Sequence, residues 1–232
     1  MARSSSRPAS EPPRLAPRLY VLVPAASAEG ATTRPAAEIA AQAEALTQAA
    51  PSVDIAAVLM RTQMPPPARA AEALKPLLDA CHAIGAAALV EGNAPLAVAI
   101  GADGAHVEGA AALKAAAALV RPDGIAGAGG LRTKHDAMTA AEGGADYVMF
   151  GEPDTEGRRP PFEATLERTH WWAQLFEPPC VGYARTLEEV DALVEAGADF
   201  VAVDNLIFDD PTEGARALAA RLVIRLVAGD AS

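Results

Sequence analysis

A tripeptide, Gly-Ala-Asp, recurs three times in this chain, each time between a stretch with helical spacing and a short apolar run. The copies occupy residues 101–103, 144–146 and 197–199, and residues 84–86 form a weaker fourth copy. Glycine readily takes the left-handed conformation that closes a helix, and the residues after it enter an extended strand. The repeat therefore predicts successive helix–strand units. Because it precedes each strand, we expect its aspartates to stabilise the fold and not to take part in chemistry.

The same alternation continues along the rest of the chain. Residues 19–24 form a continuous apolar run bounded by prolines, which is typical of a strand buried on both faces of a parallel sheet. Further strands are predicted at residues 54–60, 86–90, 105–107, 124–127, 147–150, 180–182 and 200–203. Helices are predicted at residues 34–50, 68–84, 95–100, 110–119, 134–142, 162–176, 187–195 and 212–227. Eight strand–helix units predict a single-domain α/β fold, a TIM (β/α)8 barrel over residues 18–232, with an open doubly wound sheet as the alternative.

Composition narrows the classes of partner and the compartment. A formal net charge of -11 argues against the basic face that binding to nucleic acid or to an anionic membrane requires. The sequence contains no run of 18 uninterrupted apolar residues, so no membrane span is predicted. Residues 1–17 are rich in Ser, Pro and Arg without the apolar core of a signal peptide, so we predict a disordered tail. Two cysteines are too few for a disulfide framework. These features together predict a cytoplasmic protein.

In such a barrel the binding site lies in the loops that follow the strands. The glycine run at residues 127–130 exposes backbone N–H groups that suit an anion, and Arg132 follows it directly. Taken alone, this run is also consistent with a tight turn, but the arginines after strands two, five and six favour an anionic ligand. The predicted phosphate-binding residues are Gly129, Gly130, Arg132, Arg158, Arg159, Gly182, Tyr183 and Asn205.

Carboxylates also follow several of the predicted strands. Glu91, Glu152, Asp154 and Asp204 could supply acid/base chemistry or bind a hard cation, although solvation is the ordinary role of a surface carboxylate. Asp204 stands out because it directly ends a buried apolar strand, where an unpaired charge is unfavourable. We select Arg61, Glu91 and Asp204 as candidate catalytic residues. His106 lies within strand four, where a hydrogen-bonded core histidine is the favoured interpretation.

The order of these segments resembles a known family. The segments GADGAHV at residues 101–107, GADYV at 144–148 and GADFVAV at 197–203, with Ile207-Phe208, are similar to successive barrel segments of thiamine-phosphate synthase and its thiazole-tautomerase relatives. The resemblance covers residues 19–227. It implies a transferase that joins a pyrimidine methyl diphosphate to a thiazole phosphate: loss of diphosphate leaves a pyrimidine cation, which the thiazole nitrogen captures. It also implies Mg²⁺ and basic side chains that hold the diphosphate.

Only some of the family's charged positions are kept. Arg61 matches the arginine of the Gln-x-Arg-x-Lys motif after strand two, but Leu59 and Gln63 stand at the other two positions. Arg158 or Arg159 takes the place of the loop lysine after strand six. The Asn-Asp pair after strand three, which supplies the magnesium aspartate, falls on Glu91-Gly92. The second metal acid, after strand four, falls near Ala110 or Ala111.

The remaining loops also differ from the family. The serine after strand five falls at Gly130, and the histidine that serves tautomerases falls at Arg132. The Gly-Gly pair that receives the thiazole phosphate reads Gly182-Tyr183, and the serine after strand eight reads Asn205. This pattern predicts a divergent transferase acting on a small phosphorylated metabolite. The alternatives are a noncatalytic or regulatory barrel that binds such a metabolite, and an isomerase or lyase with Asp204 or Glu91 as its base; assembly as a homo-oligomer stays open.

Overall fold

The computed structural model describes residues 15–24, 36–61, 70–154 and 156–223. Eight parallel strands close into a barrel in the order in which they occur in the chain. The strands are β1 Arg18–Leu22, β2 Ile55–Met60, β3 Ala87–Glu91, β4 Gly104–Glu108, β5 Ile125–Gly129, β6 Tyr147–Phe150, β7 Cys180–Tyr183 and β8 Phe200–Val203. Pairing of β1 with β8, which places Arg18 beside Phe200, completes the ring. The predicted (β/α)8 barrel is therefore confirmed, and the open doubly wound sheet is wrong.

Helices surround the barrel on its outer face. They are α1 Ala36–Ala49, α2 Ala70–Ala83, α3 Ala94–Ile100, α4 Gly109–Val120, α5 Lys134–Glu142, α6 Phe162–Leu175, α7 Leu187–Ala196, α8 Asn205–Phe208 and α9 Pro211–Arg221. The short α8 was not predicted. The last helix ends at Arg221, whereas the predicted range continued to residue 227, and residues 224–227 lie outside the described part of the chain. Within that part, no helix is both long and apolar enough to cross a membrane.

Part of the predicted tail and of two predicted helices cannot be compared with the structure. Residues 1–14 of the tail predicted at 1–17 lie outside the described residues. The same holds for residues 34–35 and 68–69 at the starts of the first two predicted helices. The tail therefore stays a prediction from composition.

Two apolar layers hold the barrel together. The strands alternate between a large core shared with the helices and a smaller cluster inside the barrel, to which Tyr20, Leu22, Leu59, Met149 and Tyr183 belong. Strand β5 differs because its inward positions, 127 and 129, are both glycine. The absent side chains leave space in the barrel interior, and polar groups from neighbouring strands fill it.

The Gly-Ala-Asp repeat ends its helices in one way. In all four copies the glycine has a positive φ, between 74° and 87°, and the amide of the next alanine donates to a carbonyl of the helix that has just ended. This is the Schellman arrangement, which satisfies carbonyl groups at the helix terminus. The four bonds are Ala86 to Cys81, Ala102 to Ala97, Ala145 to Ala140 and Ala198 to Leu193.

The aspartates of the repeat bind the preceding strand. Asp103, Asp146 and Asp199 each accept a backbone N–H bond from that strand, at 2.7, 2.7 and 2.8 Å. The donors are the amides of Ala88, Ala126 and Cys180 respectively. These carboxylates therefore stabilise the amino-terminal end of the barrel, as expected, away from the loops that form a site.

Asp146 gives a direct test of this structural role. Its carboxylate accepts the Ala126 amide and an Arg121 guanidinium N–H, so Asp146→Ala should lower the free energy of unfolding by about 1–2 kcal/mol. Urea denaturation measures that loss. The exposed Glu142→Ala is the control and should stay within about 0.5 kcal/mol of the parent. A change in ligand affinity with unchanged stability would contradict a structural role for Asp146.

Candidate functional site

The carboxyl ends of the strands surround an open cleft of about 450 Å³, which we call the mouth cleft. Segments after β1, β2, β6, β7 and β8 form its walls. Its charged and amide side chains are Arg61, Asp154, Arg185, Asp204, Asn205 and Asp209. The cleft thus combines two guanidinium groups with three carboxylates, at the end of the barrel where this fold places its ligands.

Arg61 joins three of the elements around the mouth. Its side chain is only 8% exposed, its Nε lies 3.1 Å from both carboxylate oxygens of Glu91, and its Nη2 donates to the Pro153 carbonyl at 2.7 Å. Glu91 ends β3 and Pro153 follows β6, so one guanidinium group connects loops on opposite sides of the barrel. The structure brings the predicted residues Arg61 and Glu91 together as an ion pair.

A second polar group lies at the ends of β7 and β8. The buried Tyr183 hydroxyl donates to Asp204 Oδ2 at 2.7 Å, and Asp204 Oδ1 accepts the Asn205 amide at 2.7 Å, which caps α8. Burial, followed by the bond to Asp204, raises the pKa of Tyr183 to about 12. Arg185 donates to the Tyr183 hydroxyl at 3.4 Å and to the Gly157 carbonyl at 2.6 Å. The Asp204 carboxylate therefore accepts hydrogen bonds from the neighbouring strand β7 and from the first residue of α8.

Arg132 lies elsewhere. It is exposed and lines a second cavity of about 510 Å³, which we call the β5 cavity, together with Glu108, Gly130 and His135. Arg61 lines the mouth cleft. The two arginines therefore lie on the same rim of the barrel but line different cavities, because the loop after β5 opens into its own cavity.

The arginines after β6 are engaged in ion pairs. Arg158 is 70% exposed and pairs with Asp154 at 3.1 Å and Glu156 at 2.6 Å, while Arg159 makes two bonds to Glu189, at 2.5 and 2.7 Å. Neither arginine lines the mouth cleft, so Arg159 and Arg61 do not converge there. Their individual roles as phosphate ligands stay predictions.

Gly182 faces away from the barrel interior. A Cβ at this position would come 2.6 Å from Leu193 Cδ2, so the absence of a side chain lets α7 lie close against β7. This close packing of α7 on β7 explains why a glycine occupies position 182. Phosphate binding by its backbone stays a prediction.

A buried hydrogen-bonded chain lies beneath the mouth. His106, 3% exposed on β4, has its Nδ1 2.8 Å from the hydroxyl of Tyr147, which in turn lies 2.8 Å from the hydroxyl of Tyr20. Burial, and then the positive charge of Arg61, lower the pKa of His106 to about 3. His106 is therefore a neutral core histidine with a hydrogen-bond partner, in agreement with the interpretation favoured from its position in the strand.

The side chain of Glu152, a residue that follows β6, lies against the glycine turn after β5. Its Oε1 accepts a short hydrogen bond from the Gly130 amide. Burial raises the pKa of Glu152 to about 7, against the lowering effect of the Gly130 bond. A Cβ on residue 129 would come 2.2 Å from Glu152 Oε1 and 2.4 Å from His106 Nε2. The glycine run thus makes room for a carboxylate and binds it, but this carboxylate belongs to the chain itself.

The acidic groups around the mouth do not form a metal site within the described residues. No three His, Cys, Asp or Glu side chains in that part of the chain are placed to hold a metal ion together. Glu91 pairs with Arg61, Glu152 accepts the Gly130 amide, and Asp204 accepts the Tyr183 hydroxyl. This donor set does not fit magnesium, so no chemical step is assigned to that ion, and its requirement stays a prediction from the resemblance.

Comparison with known proteins identifies the family. The model of the family described as thiamine monophosphate synthase matches residues 31–207. The thiamine-phosphate synthase of Rhodospirillum centenum is 35% identical over 208 residues, covering 87% of this chain and 94% of that protein. This chain belongs to the thiamine-phosphate synthase family. Another family member, the thiamine-phosphate synthase of Hyphomonas neptunium, is 40% identical over 145 residues, or 59% of this chain and 64% of its own.

Solved structures agree on the fold of this family member. Thiamine phosphate pyrophosphorylase from Pyrococcus furiosus matches with a TM-score of 0.67 at 20% identity, over 88% of this chain and 95% of its own. Orotidine 5'-phosphate decarboxylase from Pyrococcus horikoshii matches with a TM-score of 0.59 at 14% identity, over 88% and 99%. At these identities the likeness concerns the barrel alone.

Sequence reasoning missed Arg185 and the role of the two buried tyrosines in this synthase-family barrel. Arg185 closely follows β7, so the rule that located the other loop residues could have found it. Tyr20 and Tyr147 lie within strands, where a tyrosine is indistinguishable from ordinary apolar core. Only the closed barrel shows that their hydroxyl groups meet.

Proposed function

We propose that this chain joins a pyrimidine methyl diphosphate to a thiazole phosphate in the cytoplasm. Its membership of the thiamine-phosphate synthase family supports the reaction class. The observation that carries the proposal is the mouth cleft, where Arg61 and Arg185 line the same opening as three carboxylates. A cleft with both signs of charge suits a reaction that separates an anionic leaving group from a cation.

The bond changes match this distribution of charge. The bond from the methylene carbon to a diphosphate oxygen breaks, and the thiazole nitrogen forms a new bond to that carbon. Guanidinium groups bind phosphate oxygens in a bidentate manner, so Arg61 and Arg185 would hold the departing diphosphate. Carboxylates such as Asp204 would stabilise the positive charge that develops on the pyrimidine. Holding both reactants in one cleft would accelerate the reaction further, because the thiazole nitrogen is then positioned next to the carbon that it attacks.

The proposal is tested by turnover. The full chain, incubated with both phosphorylated heterocycles with and without Mg²⁺, should form thiamine phosphate, which chromatography measures. Arg185→Ala should lower kcat/KM by about 10- to 100-fold, the loss expected for a charged contact to phosphate. The exposed Arg216→Ala on α9, which lies outside the cleft, is the control and should change kcat/KM by less than about twofold. A folded sample that forms no product and binds neither substrate would overturn the proposal.

A second candidate is a noncatalytic barrel that binds a phosphorylated metabolite. It is favoured by the residues that fall at the family's two metal positions, Gly92 and Ala110 or Ala111, which carry no carboxylate. Arg132 and Gly130 in the β5 cavity would then contact the phosphate. This function predicts that thiazole phosphate raises the melting temperature without turnover, and that Arg132→Ala weakens the shift.

A further inference from the structure

Three hydrogen bonds hold Arg185, which lines the mouth cleft and follows β7 by two residues. Its Nη2 donates to the Gly157 carbonyl at 2.6 Å, and its Nε donates to the Tyr183 hydroxyl at 3.4 Å. Its backbone amide donates to Glu189 Oε2 at 2.7 Å. An exposed arginine otherwise samples many rotamers. These bonds restrict both the backbone and the side chain of the residue, so its guanidinium group meets a ligand in a defined position.

The Glu189 carboxylate accepts three N–H bonds. Its Oε1 accepts Arg159 Nη2 at 2.5 Å, and its Oε2 accepts both Arg159 Nη1 and the Arg185 amide at 2.7 Å. Glu189 lies in the first turn of α7, whereas Arg159 lies between β6 and α6. One carboxylate therefore joins the segment after β6 to the segment after β7, directly beside the arginine of the mouth cleft.

The ion pair between Arg159 and Glu189 is largely shielded from solvent. The two side chains are 18% and 14% exposed, and Arg159 Cζ lies 5.9 Å from the ring centres of both Phe162 and Tyr183. Burial raises the pKa of Glu189, but the bonds from Arg159 and from the Arg185 amide lower it further, to below its ordinary value. The carboxylate is therefore charged at neutral pH. Both terminal nitrogens of Arg159 are used in this pair, which leaves that guanidinium group poorly placed to bind a phosphate as well.

The start of α7 departs from an ordinary capping box. Thr186 is the N-cap, and its hydroxyl oxygen accepts the Glu189 amide at 3.3 Å. In a capping box the side chain of the glutamate at this position bonds back to the amide of the N-cap residue. Here it bonds to the amide of Arg185, one residue earlier. The helix start is thus extended by one fixed residue, and that residue carries the guanidinium group of the mouth cleft.

We propose that Glu189 is a positioning residue for diphosphate binding, which holds Arg185 in place, and that Arg159 is the counterion of Glu189 and not a phosphate ligand. The inference rests on the proposed function, in which Arg185 holds the diphosphate. Neither Glu189 nor Arg159 lines the mouth cleft, so both act through Arg185. A side chain that is already ordered loses less conformational entropy when it binds a ligand, so Glu189 increases the affinity for diphosphate.

The affinity for inorganic diphosphate, measured by titration calorimetry on the full chain, tests this role. Glu189→Ala should weaken binding by about 3- to 10-fold, the loss expected when one long side chain becomes free to move. The value of kcat/KM for the pyrimidine diphosphate should fall by a similar factor. Glu195→Ala, which removes an exposed glutamate at the other end of α7, is the matched control and should change both by less than about twofold. If Glu189→Ala does not fold, Glu189→Gln, which keeps an oxygen for the Arg185 amide but loses the charge, should weaken binding by about threefold.

Double variants separate positioning from a general effect on the fold. In a chain that already carries Arg185→Ala, Glu189→Ala should change diphosphate affinity by less than about twofold, because a positioning residue acts only through the residue that it holds. A loss as large as that in the parent chain would overturn the positioning role. Arg159→Met combined with Glu189→Ala should bind diphosphate within about twofold of Glu189→Ala alone. A further loss of about tenfold would show that Arg159 contacts the phosphate directly and would overturn its assignment as a counterion.

Each failure points to a different conclusion. A parent chain that binds no diphosphate would overturn both the proposed function and the role of Glu189. A parent chain that binds diphosphate but forms no thiamine phosphate would overturn the proposed function alone, and the affinities of the variants would then decide the role of Glu189. An active parent chain, with folded Glu189→Ala and Glu189→Gln binding diphosphate as tightly as Glu195→Ala does, would overturn the role of Glu189 alone.

Discussion

Arg61→Ala should lower kcat/KM by at least about 100-fold and the free energy of unfolding by about 2–3 kcal/mol. The side chain is buried, and its loss leaves the Glu91 carboxylate and the Pro153 carbonyl without this cation. Breaking one side of a buried pair is strongly destabilising, although the partial exposure of Glu91, 23%, moderates the loss. Steady-state kinetics and urea denaturation measure the two effects.

A double variant separates stability from activity at this position. Arg61→Met with Glu91→Leu removes both charges, so it should recover much of the lost stability while activity stays low. Arg158→Ala removes an arginine that is 70% exposed and should change stability by less than about 0.5 kcal/mol. Full activity in folded Arg61→Ala would show that this guanidinium group does not hold the diphosphate.

Gly127→Ala should destabilise the barrel by about 3 kcal/mol, the upper range for an overpacked core. Gly127 faces the interior of the barrel, and a Cβ there would come 2.1 Å from the Cζ atom of Tyr147. Tyr147 is buried and its hydroxyl is bonded to both His106 and Tyr20, so the ring cannot move away without breaking those bonds. Thermal or urea unfolding gives the measurement.

A smaller residue at position 147 tests the cause. Gly127→Ala with Tyr147→Leu relieves the close contact, so the double variant should be more stable than Gly127→Ala alone by about 1–2 kcal/mol. Gly143→Ala serves as the control, because Gly143 has helical φ and ψ and is exposed. That variant should remain within about 1 kcal/mol of the parent. Equal losses from Gly127→Ala and Gly143→Ala would exclude the contact with Tyr147 as the reason.

The glycine run after β5 shows how far local pattern reaches. Consecutive glycines indicate that another group approaches the backbone closely, and from the sequence we predicted that this group is a phosphate. The structure places the Glu152 carboxylate against Gly130 and the His106 ring against Gly129. Those groups come from β4 and from the loop after β6. Which strand supplies the neighbour of a bare α-carbon depends on the closed sheet, so sequence spacing could not identify it.

The loop arginines show the same limit. Arg61, Arg132 and Arg159 all follow strands, and counting along the chain places them at one end of the barrel, which is correct. They differ in what surrounds them: Arg61 lines the mouth cleft, Arg132 lines the β5 cavity, and Arg159 pairs with Glu189 of α7. Residues on one rim converge only if their side chains turn inward and find no nearer carboxylate. Whether an arginine lines a cavity or forms an ion pair therefore depends on the residues that surround it in the tertiary structure.

The sequence by itself determined the barrel, its single-domain order and the structural use of Asp103, Asp146 and Asp199, because these depend on periodic apolar runs and on contacts between adjacent units. The tertiary structure alone decided that Asp204 binds Tyr183, that Arg61 binds Glu91, and that Glu152 closes the glycine turn. Each of these pairs joins side chains from different strands or loops. Such contacts exist only after the ring has closed, which no local pattern encodes.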